Sequence, residues 1–377
     1  MALEDVVAGL GIGLIGTGYM GKCHALAWNA VASVFGDVER PRLVSLGEVN
    51  AELARKKADE FGFAQSTADW REVVANPEVD VVSVTTPNQF HAEMAIAALE
   101  AGKHVWCEKP MATSFADAER MLAAARASGK VTVMGYNYIQ NPLIRHIASL
   151  ITSGAIGQVT HVRVEMDEDY MADPSEAFYW KSEAQSGYGA LDDFAVHPLS
   201  LLSVLIGLPT EVMTDMAKPY ADRPAREGGR RAVENHDIAN VLMHMEGGVS
   251  GVLLANRSAW GRKGRIMVQV YGSEGSILYD QERMNEFQLY DRKGEAANHG
   301  FRTVMTSGNH PIYGKFIPAP GHGLGFNDLK IIECREMLSA IAGQPAHIVD
   351  FERGLEIERA VHAMARSHFE RRWMPVE

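Results

Sequence analysis

The chain contains no apolar run long enough to span a bilayer, which takes about 20 mostly apolar residues. Its first residues, 1–9, carry no basic segment of the kind that begins a secretory signal peptide. Cysteine is scarce, since Cys23, Cys107 and Cys334 are far apart and form no CxxC pair, which excludes a disulfide framework and a metal knuckle. These absences predict a cytoplasmic protein with no membrane partner.

Positive charge is also in deficit, because 36 Lys and Arg residues stand against 48 Asp and Glu, for a formal net charge of −12. An acidic surface repels phosphate backbones, so we expect no nucleic-acid partner. The 14 histidines show neither HxxxH nor HExxH spacing, and we therefore predict no metal site.

The 377 residues, 46% of them hydrophobic, suffice for two domains. Over residues 1–138, short and continuously apolar strands alternate with helices, as in a parallel sheet covered on both faces. Over residues 139–377 the strands are longer and alternate in polarity, which indicates a mainly antiparallel sheet. The sequence predicts an α/β protein with a Rossmann domain over 1–138 and an α+β domain over 139–377. We expect a terminal helix to pack back on the first domain.

A glycine-rich loop follows the first strand and precedes a helix. Gly16 permits a tight turn, Gly18 lets a pyrophosphate approach the backbone, and Gly21 lets the helix close on the strand. The alternative is an ordinary strand-to-helix turn, but strand, loop and helix together favour a dinucleotide site at the helix N-terminus. The loop residues between these glycines are assigned to the same site: Tyr19 and Met20.

Glu48 ends the second strand, 27 residues after Gly21. A carboxylate at this place accepts hydrogen bonds from the ribose hydroxyls of NAD and repels the 2′-phosphate of NADP. NAD is therefore favoured over NADP as the cofactor. The alternative is that Glu48 caps the helix that follows.

Two further segments follow strands at the edge where open α/β sheets bind ligands. After the fourth strand come Thr86, Pro87 and Asn88, which are placed to contact the cofactor ribose, and His91 follows either as a cofactor contact or as helix-end packing. After the fifth strand come Glu108 and Lys109, and Pro110 restricts Lys109 to extended geometry and permits a cis bond. We assign Glu108 and Lys109 to the cofactor site.

Asp193 and His197 lie four residues apart in a predicted helix over residues 190–205, so they share one helix face. A carboxylate beside histidine holds its tautomer and suits it to general acid–base chemistry near neutral pH. By themselves the two residues also fit a capped helix start with a satisfied histidine.

The series GxGxxG, TTPNQFH, EKP and GYGALDDFAVH resembles the Gfo/Idh/MocA family of oxidoreductases over nearly the whole chain. The resemblance implies a Rossmann domain plus a domain built on an open-faced mixed sheet, and a homo-oligomer, either dimer or tetramer. It assigns Lys109 as the active-site lysine and Asp193 and His197 as the catalytic pair. Asp192 does not match the motif and is interpreted as a helix-start acid.

The chain departs from the family pattern at two positions, where Ile139 replaces a frequent Arg and Ser200 replaces a frequent Asp. Substrate contacts are therefore sought among polar and aromatic residues of the second domain and the junction. The long segment 293–325 is interpreted as a lid or substrate wall. In addition to Lys109, Asp193 and His197, we assign to the substrate Asn137, Tyr138, Trp180 and His322. Weaker candidates are Tyr136, Tyr179, Lys181, Trp260, His310 and Asn327.

The sequence thus predicts an NAD-dependent dehydrogenase that oxidises a secondary hydroxyl group of a monosaccharide or of a cyclic polyol such as inositol. In this reading His197 is the general base, Lys109 polarises the oxygen and Asp193 orients His197. Two alternatives remain open. One is an NAD-dependent glycosidase that oxidises its substrate transiently, and the other is a nucleotide-binding sensor without catalysis.

Overall fold

The structure, a computed structural model, describes residues 9–293, 295–317 and 319–377. The strands, in chain order, are β1 (Gly11–Ile15), β2 (Arg42–Gly47), β3 (Gln65–Thr67), β4 (Val81–Val84), β5 (His104–Cys107), β6 (Thr132–Met134), β7 (Val159–Glu168), β8 (Pro209–Ala217), β9 (Asp222–Pro224), β10 (Arg230–Ala232), β11 (Ile238–Met245), β12 (Ser250–Asn256), β13 (Lys263–Gly272), β14 (Gly275–Asp280), β15 (Glu286–Asp291), β16 (Arg302–Met305) and β17 (Met374–Pro375). The helices are α1 (Tyr19–Phe35), α2 (Ala51–Phe61), α3 (Trp70–Ala75), α4 (His91–Glu100), α5 (Phe115–Ser128), α6 (Pro142–Thr152), α7 (Val196–Leu205), α8 (Tyr313–Phe316), α9 (Phe326–Ile341) and α10 (Phe351–Glu370).

The chain divides into two compact units, and the division differs from the predicted one. The first unit consists of Met1–Gln140 and Gly325–Leu355, and the second of Asn141–Leu324 and Glu356–Glu377. The first boundary falls two residues after the predicted end at residue 138. The segment 325–355 joins the first unit instead of the second domain, because α9 packs on α1 and buries apolar side chains such as Leu329 and Ile332 there. The helix that returns to the first unit is thus α9 with the first turn of α10, while most of the terminal helix belongs to the second unit.

The first unit is built on a six-stranded sheet in the order β3-β2-β1-β4-β5-β6. Every neighbouring pair in it is parallel. This is the strand order of a Rossmann fold, whose ligands bind at the carboxyl edge of the strands. The predicted Rossmann domain is confirmed. The short elements β3 and α3 were not predicted, and β3 consists of three polar residues, exposed or partly exposed, that carry no apolar pattern.

The second unit is built on a nine-stranded sheet in the order β16-β15-β14-β13-β7-β12-β11-β8-β17. The neighbours β7 and β12 are parallel and the other described pairs are antiparallel. Residues of β11 alternate, with Ala239 and Val241 buried and Asn240 and Leu242 exposed. The predicted mixed sheet with one open face is confirmed. A separate ribbon pairs β9 with β10.

The predicted helix over residues 190–205 begins as a different helical type. Leu191–Ala195 form a π-helical turn, and the α-helix α7 begins at Val196. Pro198 has no backbone N–H to bond the carbonyl of the residue four positions earlier, which accounts for a change of helical type just before it. Single π turns often occur at functional sites, and this one carries Asp193.

The helices of the described residues offer no candidate membrane span, because none combines the length and the apolar character that a bilayer requires.

Candidate active site

The glycine-rich loop between β1 and α1 has the close packing that its motif predicts. Gly16 adopts a positive φ of 94°. A Cβ atom at Gly21 would lie 2.3 Å from the carbonyl oxygen of Gly16, so a side chain there would separate the helix from the loop. The hydroxyl of Thr85 donates to the carbonyl of Gly16 at 2.9 Å. The loop is therefore packed against the first turn of α1 at Gly21 and is bound by Thr85, the residue that follows β4.

The start of α1 is suited to an anionic ligand. Gly18 is its N-cap, and among the described residues no side chain caps the helix there. A Cβ atom at Gly18 would meet no described atom within 4 Å, so the backbone is open on that side. The first turn contains Tyr19, which is 69% exposed, and Met20, which is partly exposed. Backbone N–H groups at a helix N-terminus bind phosphate, so these residues fit the pyrophosphate of NAD.

Glu48 lies against the same loop. Its carboxylate accepts a hydrogen bond of 2.6 Å from the hydroxyl of Thr17. The side chain of Asn50 caps α2 by accepting from the N–H of Leu53 at 2.9 Å. The capping role considered for Glu48 thus belongs to Asn50, and the position of Glu48 beside the glycine-rich loop supports its assignment to the ribose.

The imidazole of His91 joins two loops at the carboxyl edge of the sheet. Its Nδ1 lies 2.8 Å from the carbonyl oxygen of Pro110, and its Nε2 lies 2.9 Å from that of Thr86. The residue is 1% exposed, and burial lowers the pKa of the ring. Both ring nitrogens face backbone, so the structure favours the packing role of His91 over the predicted cofactor contact. Thr86, Pro87 and Asn88 follow β4 as predicted.

Lys109 follows β5 and is partly exposed, and its peptide bond to Pro110 is cis. Its neighbour Glu108 is only 4% exposed. The Glu108 carboxylate lies 2.5 Å from Nζ of Lys330 and 2.9 Å from Nε2 of His24. Burial opposes ionisation, but the Lys330 ammonium and His24 outweigh it and hold the pKa of Glu108 well below its usual range. The predicted cofactor contact by this carboxylate is therefore replaced by an ionic contact inside the first unit.

Two further predicted substrate residues of the first unit, Asn137 and Tyr138, lie in one short turn, Asn137–Gln140. Asn137 is 2% exposed, and the ring of Tyr138 meets that of Phe326 edge-on at 5.9 Å. Ile139, which occupies the place of a frequent Arg, is a buried apolar residue of this unit. The exposed edge of the turn is thus provided by Tyr138 and not by Asn137.

Asp193, in the second unit, is surrounded by hydrogen-bond donors. Its Oδ1 lies 2.7 Å from Nζ of Lys181, and its Oδ2 accepts a hydrogen bond from the hydroxyl of Tyr170. The guanidinium of Arg257 lies 3.7 Å from the same Oδ2. The carboxylate of Asp193 is thus compensated by positive charge and by a donated hydrogen bond.

Arg257 links this carboxylate to the body of the second unit. It is 1% exposed and binds Asp237 at 2.7 Å and the side-chain oxygen of Asn235 at 3.0 Å. Asn235 in turn donates to the carbonyl of Lys181 at 2.7 Å. The backbone that carries Lys181 is therefore held by the same buried network that faces Asp193.

Asp192 has the predicted role of a helix-start acid. Its carboxylate accepts a hydrogen bond from the N–H of Tyr188, four residues earlier. The residue is 2% exposed, and burial raises its pKa to about 7. Asp192 and Asp193 are neighbours in sequence, but the Asp192 carboxylate binds a backbone N–H group, whereas the Asp193 carboxylate binds the side chains of Lys181 and Arg257.

His197 lies in the first turn of α7 and is 5% exposed. Its backbone carbonyl accepts a hydrogen bond of 2.7 Å from the hydroxyl of Ser200. Ser200, which occupies the place of a frequent Asp, is fully buried and engaged by its own helix. At this departure from the family pattern, the Ser200 hydroxyl is thus bound within its own helix, and the pairing of Asp193 with His197 stays a prediction.

The remaining predicted substrate residues belong to the second unit. Trp180 is partly exposed, and its ring lies 5.9 Å from Nζ of Lys181. His322 is exposed, and its Nδ1 lies 3.2 Å from the carbonyl oxygen of Ala319. Gly321 and Gly323, on either side of it, line a cavity of about 330 Å³ together with Asn285. The residues that line this cavity do not include Trp180, Asp193, His197 or His322, so the interpretation of the segment 293–325 as a lid or substrate wall stays a prediction.

Sequence reasoning missed Tyr170 and Arg257 near Asp193, and Lys330 and Glu333 near Glu108. Lys330 is 222 residues from Glu108 in sequence, and Arg257 is 64 residues from Asp193. The available signal was a charged residue inside a buried helix or at the end of a buried strand, where an unpaired charge is costly. A buried charged residue indicates that an oppositely charged or hydrogen-bonding partner exists, but the sequence does not show which residue that partner is.

Comparisons with known proteins agree with this architecture. Residues 10–136 match the family model described as an oxidoreductase family with an NAD-binding Rossmann fold, and residues 144–278 match the GFO/IDH/MocA C-terminal domain. Levoglucosan dehydrogenase of Pseudarthrobacter phenanthrenivorans is 34% identical over 382 residues, which cover 97% of this chain and 98% of that protein. Myo-inositol 2-dehydrogenase of Thermotoga maritima is 26% identical and covers 75% of this chain and 79% of its own length.

A solved structure of levoglucosan dehydrogenase in complex with NADH and L-sorbose has a TM-score of 0.95 to this chain at 34% identity. The match covers 98% of this chain and 99% of the other. The similarity therefore extends over both units and not over the nucleotide-binding part alone. The chain belongs to the GFO/IDH/MocA family, and it is an oxidoreductase with an NAD-binding Rossmann fold.

Proposed function

We propose that this enzyme oxidises a secondary hydroxyl group of a monosaccharide or cyclic polyol. The observation that carries the proposal is the 34% identity to levoglucosan dehydrogenase over 97% of the chain, together with the presence of Lys109, Asp193 and His197. Levoglucosan is an anhydro sugar, so it is the first compound to test. L-sorbose and myo-inositol follow, because solved relatives were obtained with these compounds.

In the proposed reaction the three residues have separate roles. NAD, when bound, supplies the hydride acceptor. His197 accepts the proton of the substrate hydroxyl, and Lys109 stabilises the negative charge that develops on the oxygen. Asp193 orients His197 in the tautomer that accepts a proton, and Lys181 compensates the charge of the Asp193 carboxylate.

The carboxylate of Glu48 supports a preference for NAD. It lies within hydrogen-bond distance of Thr17 in the glycine-rich loop. A 2′-phosphate brought to the ribose site would meet this negative charge and be repelled. We expect turnover with NAD to exceed turnover with NADP.

The test is a panel of sugars and polyols, each supplied with NAD and with NADP, followed by the absorbance of the reduced nucleotide. Accumulation of NADH from a free sugar supports the dehydrogenase. Release of an aglycone without accumulation of NADH would assign the chain to the NAD-dependent glycosidases instead. NAD binding with no turnover over the whole panel would favour a sensor. The homo-oligomer and the cytoplasmic location stay predictions.

A further inference from the structure

A buried ionic cluster lies directly behind Lys109 in the first unit. It consists of Glu108, Lys330, Glu333 and His24. Nζ of Lys330 lies 2.5 Å from the Glu108 carboxylate and 2.7 Å from the Glu333 carboxylate. His24 binds the same oxygen of Glu108 at 2.9 Å. The side chain of Lys330 is fully buried, so solvent does not screen these contacts.

The cluster joins three elements that border the glycine-rich loop and the lysine. Glu108 follows β5, His24 lies on α1, and Lys330 and Glu333 lie one helical turn apart on α9. Trp106 of β5 completes the cluster, since its indole N–H donates to Glu333 at 3.2 Å and its ring stacks on His24 at 3.7 Å. Lys330 thus connects the returning helix α9 to the residue that immediately precedes Lys109.

The space around the Glu108 carboxylate leaves it little freedom. A Cβ atom at Gly135, just after β6, would lie 2.4 Å from its Oε1. The carboxylate is therefore confined by backbone on one side and by Lys330 and His24 on the other. A residue confined in this way also restricts the backbone of the next residue, which is Lys109.

Stability alone is a poor explanation for this cluster. Buried ion pairs lose about as much in desolvation as they gain in attraction, so an apolar group of similar shape is often equally stable. The charges of the cluster are also unbalanced, because one ammonium faces two carboxylates. Burial raises the pKa of Glu333 to about 7, while Glu108 stays ionised. The arrangement thus maintains the charge of the one carboxylate that adjoins Lys109.

We propose that Lys330 is a positioning residue for the reaction: by binding Glu108 it fixes the direction in which Lys109 presents its ammonium to the substrate oxygen. This inference rests on the proposed role of Lys109 in oxidising a hydroxyl group. Misplacement of a reacting group by about 1 Å can cost about 100-fold in rate, so a residue that touches neither substrate nor cofactor can still control turnover.

The test compares Lys330→Met with Arg335→Met, a control on the same helix. Arg335 binds Asp37 at 2.8 Å. The control substitution therefore removes an ion pair of α9 that does not involve Glu108. We expect Lys330→Met to lower kcat about 10- to 100-fold, with the Kd for NADH and the KM for the sugar close to those of the original protein. Arg335→Met should keep its kcat even if it lowers the Tm.

A double variant, Lys330→Met with Glu108→Gln, separates positioning from folding. It leaves no unpaired carboxylate at Glu108, and Glu333, whose pKa burial already raises to about 7, takes up a proton once the Lys330 ammonium is lost. The double variant should therefore recover the Tm and should fold even if the single variant does not. We expect kcat to stay low, because the amide lacks the ionic hold of Lys330. Recovery of kcat together with the Tm would overturn the proposal and leave Lys330 with a structural role only.

A second measurement does not depend on finding the sugar. Acetic anhydride labels Lys109 at a rate that reports its pKa and exposure, and mass spectrometry measures that rate in the presence of NADH. The other titratable groups that face the cluster are the thiols of Cys23, Cys107 and Cys334, whose pKa values are raised by burial, and the ring of His91. We expect the labelling rate to change in the double variant and not in Arg335→Met. An unchanged rate would overturn the positioning role, whereas a changed rate without turnover of any sugar would contradict the proposed function alone.

Discussion

The two units bury charge next to a predicted catalytic residue in different ways. In the first, Lys330 and Glu333 are sealed from solvent and act on Glu108, so they influence Lys109 through the backbone. In the second, Lys181 keeps a quarter of its side chain exposed and acts directly on the carboxylate of Asp193. A sealed cluster holds a geometry, while a partly open ion pair sets a charge that solvent and ligand can modify.

The largest effect is expected from His197→Ala, which removes the proposed base of the second unit. Turnover should fall about 10²- to 10⁴-fold, because general base catalysis contributes that much. Ser200→Ala is the matched control on the same helix, since Ser200 bonds only its own helix among the described contacts. Steady-state kinetics with saturating NAD measures both. Near-normal oxidation by His197→Ala would show that His197 is not the base that accepts the proton of the substrate hydroxyl.

Lys109→Met tests the reacting group of the first unit. We expect kcat to fall about 10²- to 10³-fold, as for the loss of one donor to a developing oxyanion. The Kd for NADH, measured by fluorescence titration, should change much less than kcat. If the variant weakens NADH binding and leaves kcat intact, Lys109 belongs to the cofactor site and the proposed division of roles is wrong.

Lys181→Met tests whether the second unit acts through charge. Removing the ammonium leaves the negative charge of Asp193 less compensated, and negative charge favours the protonated form of the proposed base His197. The acid limb of kcat/KM against pH should therefore move upward by about one pH unit. Lys263→Met is the control, because Lys263 binds Asp169 at 2.6 Å in the same unit and is largely exposed. An unmoved acid limb in Lys181→Met would make the ion pair a structural contact.

The smallest effect concerns stability and Asp192, the acid that neighbours Asp193. Burial raises its pKa from 3.8 to about 7, so the folded state binds more protons than the unfolded state between these values. Its contribution to stability is present at low pH and is lost as the pH rises through about 7. Asp192→Asn should therefore gain stability relative to the original protein as the pH rises from about 4 to about 7. Urea unfolding at several pH values measures this difference, and a difference that does not vary with pH would contradict the raised pKa.

Most of the Rossmann unit could be predicted, because its signals are local. The strand β1 precedes the glycine-rich loop and the helix α1 follows it, as the sequence predicts. In the second unit the sequence predicted alternating strands without their bounds, and β8 and β14 alternate buried residues with residues that are at least partly exposed. Alternation over a few residues is a weak signal when the partner strands are distant in sequence.

The sequence by itself determined the glycine-rich loop, the two kinds of sheet and the candidates Lys109, Asp193 and His197. These features are encoded by residues that are close together along the chain, where periodicity, glycine and proline act directly on the backbone. Only the tertiary structure decided that residues 325–355 return to the first unit, that Lys330 binds Glu108 and that Lys181, Tyr170 and Arg257 surround Asp193. A buried charge requires a partner, but burial is a property of the packed chain, and local sequence does not specify which of many distant charges will meet it.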